Sequence, residues 1–365
     1  AAASANSSSS DAAALPGVSL PLAVVNARTF HLEVLSAALE AVRAVRLVER
    51  TAVYVDKFVH AGKDGWRSLV HDYDGPIIAM PPTSNASQVP RHEVVFFISP
   101  EKSPEYTRFF INASRPSVVV LMIHNAQYPQ LAELVAMHPR TRLVVLSPHV
   151  ATALRARGFE AAWWLAARPW LQPPAPGGEG AGAAGSTCKP RDAATPPGPW
   201  GFVCQGRIDN RRRSYDSVWA ELQAAADAAD ASGGGSGAGG GGDASRAAGR
   251  RGAAGAGAVS GGGGVLPPPR LTILGRAVPK QYQVAIPRRV RRLVTTVTDA
   301  PYDVFYGHIA CSVALLPLFA NESYLTSKFS STVLASLSTG TPMLVEPRFL
   351  SAYSFLDEQI LRSDP

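Results

Sequence analysis

EVVFFISPEKSPEYTRFFINASRPSVVVLMIH, residues 93–124, decides the fold class. EVVFFIS (93–99) is a β-branched and aromatic run with no polar alternation, the pattern of a strand buried on both faces. Residues 104–112 have the spacing of a short helix, and SVVVLMIH (117–124) is a second strand apolar on both sides. Two such strands joined by a helix predict a parallel sheet covered by helices.

The alternation continues outward. Residues 21–26 form a short apolar strand, and 31–46 a helix with Leu32, Leu35, Leu39 and Val42 on one face. Residues 51–59 are the next strand, and 77–82 end a less regular stretch. Beyond the central unit follow a helix at 128–137, a strand at 142–147, a helix at 149–157 and a closing strand at 161–166. Right-handed crossovers then predict a doubly wound domain over 18–171, with ligands beyond the carboxyl ends of the strands. Residues 1–17 are Ala/Ser-rich and expected to be disordered, and 172–198 read as a Pro/Gly linker. A second α/β unit, 199–365, shows strands at 201–205, 271–274, 294–298, 310–319 and 342–345, helices at 214–229 and 330–337, and a low-complexity insert at 231–264.

Composition narrows the function classes. The chain has 365 residues, enough for two domains, and a net charge of +7. Arginine outnumbers lysine, and Ala, Gly and Pro abound, as in proteins of GC-rich genomes. No nucleic-acid-binding pattern accompanies the charge, so no nucleic-acid partner is expected. Cys188, Cys204 and Cys311 lack CxxC spacing, which excludes a disulfide scaffold and a zinc ribbon. No apolar run is long enough to span a membrane. Asn6, Asn85, Asn112 and Asn321 stand in N-x-S sequons and point to a secretory lumen rather than cytoplasm. The first residue is Ala1, so a fragment or processed chain is expected, with membrane attachment only through an anchor lost upstream.

No GxGxxG follows the first strand, and no P-loop, HExxH or GxSxG occurs, which disfavours dehydrogenases, P-loop NTPases, zincins and α/β-hydrolases. Candidate site residues therefore come from strand ends. His31, where the first helix begins, is either a general base for an acceptor hydroxyl or a solvent-facing cap; Glu33 is two residues on. His124, Asn125 and His149 end later strands on the same edge, where each orients an acceptor hydroxyl or serves as a satisfied loop residue. In the second half Gly206 permits close approach of a ligand, and Arg207 offers a bidentate phosphate contact, with Arg211, Arg212 and Arg213 following. Lys328, Ser330, Ser331 and Thr332 open a helix whose first amides would be free to bind an anion, and Gly340 and Thr341 close it.

The segments GFVCQGRIDNRRRSYDSVW (201–219) and YLTSKFSSTVLASLSTGTPMLVE (324–346) resemble the nucleotide-sugar half of a GT-B glycosyltransferase of the family 1/4 type. VVNARTFHLEVLSAALEAVR (24–43) and VVVLMIHNA (118–126) resemble its acceptor half. The resemblance implies two Rossmann-like domains facing a cleft. It also implies hexosyl transfer from a nucleotide-sugar, with His31 as base and no metal or other cofactor. The acceptor is a glycan, protein or lipid hydroxyl. The chain departs from the pattern at Ala335 and Ser327, where many retaining members carry glutamates, and Glu322 is out of register. That departure keeps open a GT-B-like binding protein without turnover, and a sugar-nucleotide epimerase remains a weaker third reading.

Overall fold

The computed structural model describes residues 20–170, 201–233 and 268–356. The expected N-terminal segment 1–17, the linker 172–198 and residues 234–264 of the expected insert lie outside the described residues.

The first sheet has seven parallel strands in the order β3-β2-β1-β4-β5-β6-β7. They are β1 (Leu20–Asn26), β2 (Thr51–Val55), β3 (Ile77–Ala79), β4 (His92–Ile98), β5 (Val118–Ile123), β6 (Thr141–Val145) and β7 (Ala161–Trp163). Its helices are α1 (Leu32–Ala44), α2 (Lys57–His60), α3 (Pro104–Ser114), α4 (Leu131–Val135) and α5 (Pro148–Arg155). Val25, Val53, Val95, Val119 and Val145, from five adjacent strands, are fully buried, as a sheet covered on both faces requires. The apolar stripe of α1, Leu32, Leu35, Leu39 and Val42, seals one face. The expected strand 51–59 is corrected to 51–55: the Asp56 side chain accepts a hydrogen bond from the Phe58 amide and starts α2 instead.

The second sheet, β10-β9-β8-β11, is also parallel. It contains β8 (Phe202–Arg207), β9 (Leu271–Arg276), β10 (Val294–Thr298) and β11 (Ala314–Leu315). Around it lie α6 (Asp216–Gly233), α7 (Tyr302–Ala310), α8 (Ser323–Thr326), α9 (Ser331–Thr339) and α10 (Pro347–Ala352). Along β8 the pleat alternates. Cys204 joins a small core with Tyr215 and Leu222, whereas Val203 joins a larger core, shared with the first sheet, that includes Tyr306 and Val333.

Three expectations change here. Helix α6 runs to residue 233, past the expected start of the insert at 231. The expected strand 310–319 shrinks to β11, because Ala310 ends α7 while Pro317 and left-handed Leu318 end the extension. Residues 342–345 make only one bridge, Leu315 to Met343, since Pro342 has no amide to donate.

Each sheet has one switch point where strand order reverses, the place where α/β sheets open a crevice for ligands. In the first sheet it lies between β1 and β4, and in the second between β8 and β11. On the other side of β8, its backbone and that of β9 approach so closely that a Cβ on Gly275 would stand 1.4 Å from the Gly206 carbonyl oxygen. Gly275→Ala is therefore expected to lower stability by about 1–3 kcal/mol or more, because two backbones must part. Gly307→Ala is the control: nothing lies within 4 Å of its added methyl, and it sits inside α7. It is expected to gain about 0.5–1 kcal/mol. Denaturant melts of both variants check the pair.

Candidate active site

The loops leaving β1 and β4 build one wall of the candidate site. Buried Asn26, the last residue of β1, folds its loop back by donating to the Phe30 carbonyl. Arg28 then donates to the carbonyl of Lys102, tying this loop to the one after β4. Two non-glycine residues, His31 (φ 59°) and Ser99 (φ 56°), are left-handed there. That conformation costs on the order of 1 kcal/mol each and persists only where the surroundings enforce it.

His31 caps α1 with a quarter of its side chain exposed. Its ring lies 3.9 Å from that of His124, and its Nδ1 lies 3.9 Å from a Glu33 carboxylate oxygen. Burial, assisted by the charge of Lys102, pushes its pKa down to about 4, so the imidazole is neutral at neutral pH. His124 is more deeply buried and held well below its usual value by burial, then by His31 and Lys102.

Two neighbours complete this wall: Glu101, which the sequence places at a strand end on the ligand edge without assigning it a role, and Lys102, which the sequence reading passed over. Glu101 is buried, with one oxygen accepting from the His124 amide at 3.1 Å and Oε2 without a partner. Burial raises its pKa to about 7. Lys102 is exposed and acts electrostatically on His31, His124 and Lys328. The available signal was position: both residues follow the strand that turns out to flank the switch point.

The second wall rises from β8. Gly206 has φ 123°, and a Cβ there would meet an Arg213 guanidinium nitrogen at 2.9 Å. The three consecutive arginines have three different surroundings. Arg211 makes a bidentate pair with buried Asp209, whose carboxyl those bonds hold at about 2, and stacks on Tyr282. Arg212 is exposed and near Lys328. Arg213 is buried, donating to the Gln205 and Pro317 carbonyls and lying 3.5 Å from the Thr332 hydroxyl. Arg207 points to solvent, and its phosphate contact would have to form with the ligand.

The opening of α9 corrects several expectations. Ser330 caps the helix by accepting from the Thr332 amide, and its own amide donates to the Tyr353 hydroxyl. Thr332 is fully buried, with its hydroxyl accepting from Gln205. The amides of Ser330 and Thr332 are thus occupied, which leaves that of Ser331. Gly340 and Thr341 sit at the other end of α9, roughly 13 Å away for nine residues. Gly340 is its left-handed C-cap, and the Thr341 hydroxyl donates to the Ile309 carbonyl, so both terminate the helix rather than meet an anion.

Lys328 is placed by the first half of the molecule. Asn125 forms an antiparallel bridge with it, and the Ala126 amide donates to the Ser327 carbonyl at 2.9 Å. His149 Nε2 donates to the Lys328 carbonyl at 3.1 Å. Asn125 and His149 therefore join the two halves. Burial, with the charges of Arg212 and Lys102, lowers the Lys328 pKa. Lys102 and Arg212, from the two halves, both act electrostatically on Lys328, and Lys328 is bridged to Asn125, the residue after His124, whose ring lies beside that of His31.

No family model and no curated protein sequence matches the chain. Among solved structures, HepE from Anabaena, in complex with UDP and glucose, aligns over 89% of this chain and 80% of its own at 11% identity, with a TM-score of 0.51. The chain has the GT-B fold. Weaker matches are the α,α-trehalose 6-phosphate synthase of Burkholderia multivorans (10% identity, 95% and 92% covered, TM-score 0.43) and the E. coli heptosyltransferase WaaC with ADP-2-deoxy-2-fluoro heptose (11%, 92% and 99%, 0.39).

The buried carboxyl of this GT-B cleft yields a pH prediction. Glu101 holds its proton to about 7 when folded, against 4.5 ordinarily, so its contribution is fully present below 4.5 and lost as pH rises through 7. The loss is on the order of 3 kcal/mol. Glu101→Gln is expected to be more stable than the parent above pH 7 and level with it near pH 4.5. His31 works in the opposite sense, losing stability as pH falls from 6.5 through about 4. Denaturant melts across this range check both directions.

Proposed function

We propose that the chain is a glycosyltransferase that moves a sugar, hexose-like, from a nucleotide-sugar to an acceptor hydroxyl without a metal ion. The observation that carries the reading is the bridge of Lys328 to Asn125, which sets the lysine of the second half beside the loop of His124 and, through it, the His31 ring. HepE, a solved structure with the same fold, was captured with UDP and glucose, which supports a uridine diphosphate donor here.

In this reading the His31 ring accepts the proton of the acceptor hydroxyl as its oxygen attacks the anomeric carbon. The bond from that carbon to the diphosphate breaks, and the pair of electrons leaves with the diphosphate. Lys328, Arg212 and the Ser331 amide stabilise the departing charge, with Arg207 reaching in from the end of β8. The acceptor, a glycan, protein or lipid, approaches past Glu101 and Lys102. Exposed sequon residues Asn112 and Asn321 support action in a secretory lumen.

A binding protein without turnover is the rival reading. It rests on Ala335 and Ser327, both buried, which leave α9 and the turn before it without the glutamates of many retaining relatives.

The test measures UDP affinity by thermal shift and calorimetry, with and without EDTA, and then transfer from UDP-sugars. Binding is expected to be indifferent to EDTA, and Lys328→Ala to weaken it by roughly tenfold, about 1.4 kcal/mol. His31→Ala is expected to lower turnover by about 10²–10⁴ with UDP affinity unchanged. Equal losses of turnover and binding would remove His31 as the base. Tight UDP binding without transfer to any hydroxyl, or hydrolysis, would favour the rival.

A further inference from the structure

The loop that carries His31 is held from the far side of the cleft. Arg276 is the last residue of β9, in the second sheet. One of its guanidinium nitrogens donates to the Thr29 carbonyl at 3.0 Å and to the Asp64 carboxylate at 2.8 Å, both in the first half. Thr29 lies two residues before His31. Asp64 sits in a turn whose backbone is left-handed at Gly62, Asp64 and Gly65. That turn packs on the second half, where a Cβ on Gly65 would stand 3.3 Å from Pro301. The charge of Arg276 also acts on Glu33, beside His31, and on Tyr302 of α7.

We propose that Arg276 is a positioning residue that couples closure of the donor half to the placement of the His31 loop. The inference rests on the reading of His31 as the base. The geometry suits a latch rather than a fixed joint. The Arg276 side chain is 44% exposed, and exposed ion pairs are weak enough to break when a cleft opens. At the other end, the pairing of residues 125–126 with 327–328 and the His149 bond are backbone-directed and stay made. The cleft is thus pinned near Lys328 and latched near His31. When the latch is closed, Thr29 and Asp64 are both drawn to β9, whose own position is fixed beside the donor-binding strand β8. The base would be in register only when the donor half is.

Hydrogen–deuterium exchange of the full chain, with and without UDP, tests this. Arg276→Ala is expected to speed exchange of residues 27–34 by roughly tenfold, while peptides from β4 and β5 keep the parental rate. Arg276→Lys, which keeps one charged donor, is expected to restore part of the protection. Arg289→Ala removes an exposed ion pair within the second half and is expected to leave 27–34 unchanged. UDP should slow exchange of 27–34 in the parent and fail to do so in Arg276→Ala, with UDP affinity similar in the two. Identical exchange of 27–34 in the parent and Arg276→Ala would overturn the proposal, as would acceleration spread over the whole chain. If UDP binds neither protein, the ligand-free comparison still decides the latch, and the donor reading is what fails.

Discussion

A guanidinium buried without a carboxylate partner among the described residues organises the second half of this molecule. Arg213 is satisfied by the carbonyls of Gln205 and Pro317 and reaches the hydroxyl of Thr332. Those three groups belong to β8, to the segment after β11 and to α9, so one side chain fixes the strand ends at the switch point and the start of the helix beside them. Gly206 must lack a side chain for Arg213 to lie there. Carbonyl dipoles solvate the cation without cancelling its charge. The positive potential that results adds to that of the helix N-terminus and of Arg212 and Lys328, and it is this potential that the proposed diphosphate contact would use.

The opposite wall has a different electrostatic design. Burial keeps His31 and His124 neutral and raises the pKa of Glu101, and Lys102 is the exposed cation beside them, so the imidazoles add no positive charge of their own. Departing negative charge would be stabilised on one side, and a proton taken up on the other. What registers the walls is mainly backbone: residues 125–126 pair with 327–328, which aims Lys328 by where its main chain is held.

Much of this was legible in the sequence, for definite reasons. Strands such as 93–99 and 117–124 read as apolar on both faces, so the parallel sheet and its covering helices follow from the local pattern. His31 was found because the stripe of α1 begins directly after a short strand. Lys102 and Arg276 were missed, and Glu101 was placed on the ligand edge without a role, because their importance depends on which strands are neighbours, β1 beside β4 and β8 beside β9, and order within a sheet is a long-range property. Gly340 and Thr341 were placed at the anion site because they share a segment with Ser330, although a helix of nine residues separates them. The run of three arginines gave no sign that Asp209 would claim the first and leave the third for the interior. Asn125 and His149 lie on the ligand edge as expected, but that edge is also where the two halves touch.

The most direct measurement is a crystal structure of the full chain with UDP. The account predicts the diphosphate against the Lys328 ammonium and the Ser331 amide, within the crevice that His31 faces. A diphosphate bound elsewhere, at the Gly340 end of α9 or outside the crevice between the two switch points, would contradict it.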